Sequence, residues 1–101
     1  MFYTFGVGDT SVKVDARVLE EAEGVRPATL GVVIAWLAAR GGEPFSYGEM
    51  GEALRPLGCS SRSRVSAYLR ALEDEGVIER RTVDSRVSVE IVDKFHVQLG
   101  R

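Results

Sequence analysis

The chain has 101 residues, 45% hydrophobic and 28% charged, with a formal net charge of −2. That length accommodates one domain around a modest core and that composition excludes a disordered segment, while the slight acidic excess excludes a generic charge-driven nucleic-acid coat. A single cysteine, Cys59, leaves no internal disulfide to form and fits a reducing compartment. No apolar run approaches the ~18 residues of a membrane span, and no basic region followed by an apolar stretch opens the chain, so a cytoplasmic protein without a membrane partner is expected.

Met1 to Phe5 is aromatic and apolar, Gly6 to Asp9 is turn chemistry, and Thr10 to Val14 alternates with Val12 and Val14 on one face. This reads as a hairpin of two short strands. Gly6 and Gly8 beside Thr10 and Ser11 lack the Gly-Lys-Ser/Thr ending of a phosphate loop. Asp15 is placed to cap a short helix over residues 16–23, with Val18, Leu19 and Ala22 on its apolar side and Gly24 as its stop. Residues 1–26 form an N-terminal extension whose expected work is packing.

Pro27 suits the first turn of a helix that runs to Arg40 before Gly41 and Gly42 end it. Leu30, Val33, Ile34 and Leu37 fall on one face at helical spacing and should enter the core. Val32, Ala35, Trp36 and Ala39 form a second apolar face nearly opposite. A helix apolar on both sides is covered on both sides. The cover is either the N-terminal segment of the same chain or the same helix of a second subunit, which makes these four residues the candidate homodimer interface.

Glu43-Pro44-Phe45 fits a short strand, and residues 47–55 fit a helix with Met50 and Leu54 inward. Pro56 to Cys59 is a turn in which Cys59 packs as a small apolar plug. Ser60 to Arg81 reads as one helix feeding one strand: Val65, Tyr68, Leu69 and Leu72 share an arc, and Gly76 stops the helix before Val77 and Ile78 begin a β pattern. Ser61 stands four residues before Val65, so it or Ser60 caps. The opposite face carries Ser63, Ser66, Ala67 and Arg70, flanked by Arg62 and Arg64, and between Ser60 and Arg70 there is no acid. Residues 78–83 and 87–92 make two strands around the turn Asp84-Ser85-Arg86. Residues 93–101 are a tail with Phe95, Val97 and Leu99 at period two, able to add a strand to the N-terminal hairpin or to a partner.

The stretch LGCSSRSRVSAYLRALEDEGVIERR resembles the recognition-helix-and-wing segment of winged helix-turn-helix transcription regulators of the MarR and ArsR type, and the likeness extends over residues 27–92. It implies an α+β, mainly α, fold: a three-helix core plus a β-hairpin wing, with the N-terminal extension added and everything in a single domain. It also implies sequence-specific binding of double-stranded DNA as a transcription-regulating homodimer. The 61–75 helix would enter the major groove, where Arg62, Arg64 and Arg70 meet guanine edges or phosphates and Ser61, Ser63, Ser66 and Ala67 lie close to the duplex. The 78–92 hairpin would act as the wing, with Arg86 first and then Arg81 on the backbone or minor groove.

The lone His96 has no carboxylate pair or nucleophile at a telling spacing, and one Cys with one His is no metal site, so a non-enzyme without cofactor or metal is expected. The competing expectation is a winged-helix module for protein–protein interaction in a larger assembly, favoured by the acidic balance, by the two-faced helix around Trp36 and by the run Glu73-Asp74-Glu75.

Overall fold

The computed structural model describes residues 1–100, which form an α+β fold of four α-helices and five strands in two antiparallel sheets. Strands β1 (Phe2–Val7) and β2 (Thr10–Asp15) are joined by the two-residue turn Gly8-Asp9, where Gly8 sits at φ 57, a conformation that favours glycine at the first turn position. Asp15 then caps α1 (Ala16–Glu21), its carboxylate accepting from the Arg17 amide at 3.0 Å. Helix α1 is shorter than its apolar pattern, which runs on to Ala22, because the backbone at Ala22 is already extended.

Helix α2 (Pro27–Arg40) begins at the proline, whose missing N–H costs nothing there, and ends at Gly41 with φ 61, donating its amide to Ala38 O. Ser46 caps α3 (Tyr47–Ala53) through a capping box with Glu49. Pro56 disfavours helical backbone at the residue before it, so α3 gives way to a 3-10 turn over Arg55–Leu57 instead of running on to Arg55. Ser61 caps α4 (Arg62–Asp74) by accepting from the Arg64 amide at 3.1 Å, which leaves Ser60 as an extra turn residue. Gly76, at φ 73, closes that helix: Val77 N–H donates to Leu72 O and Gly76 N–H to Glu73 O. Strands β3 (Ile78–Val83) and β4 (Arg86–Ile91) follow around Asp84-Ser85, both at positive φ. The turn is one residue tighter than expected, so Arg86 belongs to the strand.

Strand β5 (Val97–Gly100) pairs with β2, giving the order β1-β2-β5. The tail and the N-terminal extension are therefore one structural layer, and it lies on α2. Phe5 of β1 rests against Gly31, where an added Cβ would come within 2.2 Å of the ring. Ala35, one turn further along α2, is fully buried. The four residues of the expected second apolar face thus separate. Ala35 is sealed inside the chain, Val32 and Trp36 are half-buried, and only Ala39 is exposed. The physical reason is the three-stranded sheet, which covers the helix from within the molecule and leaves Ala35 nothing to offer a second subunit. Trp36 is engaged besides: Phe45 packs edge-on to it with centroids 4.9 Å apart, and the Arg40 guanidinium stacks 5.5 Å from its ring centre.

One core joins the layers. Leu30, Val33, Ile34 and Leu37 of α2, Met50 and Leu54 beside α3, Val65, Leu69 and Leu72 of α4, and Val12 and Val14 of β2 are all buried. At about 25 cal/mol per Å² of apolar surface, each such aliphatic side chain contributes roughly 1.5–3 kcal/mol. Phe45, itself buried, exchanges two backbone hydrogen bonds with Val87 at 2.8 Å, which fastens the β3–β4 hairpin to the segment before α3.

Candidate nucleic-acid interface

Helix α4 buries Val65, Tyr68, Leu69, Ala71 and Leu72 and turns the rest of its circumference outward. Ser61, Arg62, Ser63, Arg64, Ala67 and Arg70 are exposed and Ser66 is half-buried, so none of the seven residues singled out on this helix and its cap is committed to the core. Among the described residues, the ion pairs are Arg40–Glu49, Arg55–Glu52, Arg80–Glu73 and Arg86–Glu49, and His96 lies beside Asp93 at 2.8 Å, an ion pair only when the ring is protonated. Arg62, Arg64 and Arg70 take part in none of them. The helix N-terminus adds its own partial positive charge at Ser61 to Arg64.

Next to Arg62 a groove of about 600 Å³ runs between the starts of α3 and α4 and the tip of the β3–β4 hairpin. Ser46, Tyr47, Gly48, Ser60, Arg62, Thr82, Ser85 and Val87 line it. Its walls are hydroxyls, a phenol and one guanidinium, without a carboxylate. The Arg62 guanidinium lies 5.6 Å from the centre of the Tyr47 ring, which holds it at the groove mouth. Tyr47, Ser46, Thr82 and Ser85 escaped the sequence reading because their juxtaposition depends on where the hairpin folds back. The capping serine before Tyr47 was the only local signal.

The two hairpin arginines stand elsewhere. Alternate residues of a strand face opposite sides of the sheet, and Thr82, opposite Val87, lines the groove beside Arg62. Arg81, opposite Ser88, therefore points to the other side, into a groove of about 380 Å³ shared with the end of α2 and with Leu99. Arg86 pairs with Glu49, which also faces Arg40 at 3.8 Å, and donates to Pro44 O at 3.4 Å, so its charge is compensated only in part. Arg80, one residue before Arg81 on β3, is held by Glu73 at 2.6 Å and by the Tyr47 hydroxyl. The expected surface of hairpin and helix arginines acting together thus reduces to the helix arginines plus a hairpin tip that offers the hydroxyls of Thr82 and Ser85 beside the exposed carboxylate of Asp84.

On its other side the outward face of α4 borders a second groove, of about 460 Å³, where Glu23 and Gly24 approach Ser63, Ser66, Ala67, Arg70 and Asp74. The loop carrying Glu23 is anchored to the helix, since the Arg26 amide donates to the hydroxyl of Tyr68 at 3.2 Å. Two acids accordingly flank the C-terminal half of the face, while the groove beside its N-terminal half has no acid among its lining residues. Burial pushes the Cys59 thiol up, and the nearby Arg64 only partly offsets that, so the cysteine is a neutral core group under the start of α4.

No protein-family model, no curated protein and no solved structure matches the chain. No helix among the described residues is long and apolar enough to cross a membrane.

Proposed function

We propose that the chain is a winged helix-turn-helix domain that binds double-stranded DNA in a sequence-dependent way, with α4 in the major groove and the β3–β4 hairpin as its wing. The observation that carries this reading is the unpaired arginine set on α4. Arg62, Arg64 and Arg70 stand without carboxylate partners among the described residues of a chain of net negative charge, whereas Arg80 pairs with Glu73 and Arg86 shares Glu49 with Arg40. The element order supports the wing assignment: α2, the Phe45 bridge, α3, α4 and then the hairpin, with Phe45 pairing onto the hairpin strand. In this reading Arg62 and Arg70 supply the base-edge or phosphate contacts, Ser63, Ser66 and Ala67 permit close approach, and the hydroxyls of Ser46, Ser60, Thr82 and Ser85 meet the sugar–phosphate backbone. The wing works through its tip hydroxyls, not through Arg81 or Arg86.

A protein-interaction module is the second reading, favoured by Glu23 and Asp74 beside Arg70. The two separate in a fluorescence-anisotropy titration with duplexes enriched from a genomic pool, against scrambled duplex at two salt concentrations. DNA binding requires tighter association with the enriched duplex and a loss of affinity with salt. Micromolar or absent binding to every duplex would transfer the function to a protein partner.

A further inference from the structure

Three strand edges lie open in this molecule, and they differ in chemistry. Strand β3 carries Glu79, Arg80 and Arg81 along its length, and β5 is only four residues long. Charge and shortness are the usual protections against edge-to-edge pairing. Strand β1 has neither: Phe2–Val7 is six residues long without a charge or a proline. Its two-residue turn makes Val7 and Thr10 a hydrogen-bonded pair, so by the antiparallel alternation Phe5 and Tyr3 also bond β2, while the backbone groups of Phe2, Thr4 and Gly6 point away from the sheet. The amide of Asp15, turned to the opposite side of β2, donates to His96 O, as the same alternation requires. Phe2, Thr4 and Gly6 are all exposed, and no hydrogen bond from their backbone to another segment is present among the described residues.

We propose that this edge pairs with the same edge of a second copy of the chain, across a two-fold axis at Thr4, to make one continuous six-stranded antiparallel sheet. Self-pairing demands a strand that complements its own reverse, and β1 does so in this register. Thr4 meets Thr4, a favourable cross-strand pair. Phe2 meets Gly6, so an aromatic ring covers a bare glycine on the outer face. Tyr3 meets Phe5 on the inner face as a non-hydrogen-bonded pair, the arrangement that brings side chains closest. Tyr3 and Phe2, 49% and 40% exposed in the isolated chain, are the side chains the partner would cover. No charge meets its like along the seam. A single strand pair is a small interface, and a dissociation constant of about 1–100 µM is expected. The inference does not rest on DNA binding, and it moves dimerisation from the α2 face to the β1 edge.

The test is sedimentation of wild type and of Thr4→Lys over about 1–200 µM, a range that brackets that constant. Thr4 is exposed but sits opposite Lys13 within the chain, so Thr4→Lys meets a like charge in the monomer whereas Thr4→Glu meets an unlike one; Thr4→Glu is therefore run beside it, and far-UV circular dichroism verifies both folds. In the pair, each variant sets two like charges directly opposite each other. Wild type should self-associate, Thr4→Glu and Thr4→Lys should each weaken association at least about tenfold, and mixing the two variants should restore it. Amide exchange at Phe2, Thr4 and Gly6 of wild type should slow as concentration rises. A wild type that stays monomeric throughout the range, or a dimer indifferent to Thr4→Lys, overturns the proposal.

Discussion

Gly51 is where the packing of α3 against α4 is least forgiving, and Gly51→Ala sets two effects of opposite sign against each other. Within a helix, alanine is favoured over glycine by about 1 kcal/mol, so propensity alone predicts stabilisation. The added Cβ, however, would stand 2.6 Å from the carbonyl oxygen of Ser60 and 3.3 Å from its carbonyl carbon. Relief needs a displacement of roughly 0.6–0.8 Å, and the obstacle is backbone, not the movable end of a side chain. That backbone is also pinned on both sides, by buried Cys59 and by Ser61 capping α4. Overpacking costs about 1–3 kcal/mol, and an obstacle of pinned backbone places this case at about 2–3, which outweighs the propensity gain and leaves a net loss of about 1–2 kcal/mol. For a domain of this size the melting temperature should fall by about 5–10 °C. Urea denaturation followed by circular dichroism measures the loss directly. A midpoint that rises by the propensity amount would show that the α3–α4 turn yields freely, and the reasoning would be refuted.

Tyr68→Phe keeps the ring in the core but removes the hydroxyl that accepts from the Arg26 amide; a loss of about 1 kcal/mol is expected in the same denaturation assay. Asp93 accepts from the amides of Phe95 and His96 and from the His96 ring, and although burial opposes its ionisation, these bonds hold its carboxyl below the ordinary range. A depressed folded-state value means that its stabilisation is complete above the unfolded carboxylate pKa of about 4 and disappears as pH falls through the lower folded value, so Asp93→Asn should flatten the acid limb of the stability profile. Cys59, buried and with its thiol held neutral, should react with a thiol reagent only at the rate of unfolding, and fast labelling of the native chain would contradict its place in the core.

The parts of this fold that could be read from sequence are those governed by neighbours. Pro27 and Gly41 bound α2, Ser61 and Gly76 bound α4, and the periodicity of Val65 to Leu72 marks the buried arc, because caps and helical faces depend on residues within a turn or two. What escaped was set by distant parts of the chain. The pairing of β5 with β2 joins the two ends of the chain into the sheet whose strands β1 and β2 lie on α2, where Ala35 is buried. The tight turn at Asp84-Ser85 places both residues at positive φ without a glycine to announce it, and that shift fixes where Arg86 falls. The engagement of Arg80 with Tyr47 and Glu73, of Arg86 with Glu49, and the placement of Arg81 on the far side of the hairpin follow from where β3 and β4 dock. A count of arginines in the hairpin therefore overstated its positive surface, whereas the arginines of α4, on a helix whose inward face was legible, are all exposed.

The central claim is that the outward face of α4, and not the hairpin arginines, contacts DNA. Parallel anisotropy titrations of wild type, Arg70→Ala and Arg81→Ala on one enriched duplex, each over a series of salt concentrations, test it most directly. The account predicts that Arg70→Ala weakens binding by about 1–3 kcal/mol and relaxes base preference at one position or lowers the salt slope by about one, while Arg81→Ala leaves both unchanged. Equal affinity and slope for wild type and Arg70→Ala, or a larger loss at Arg81, would contradict it.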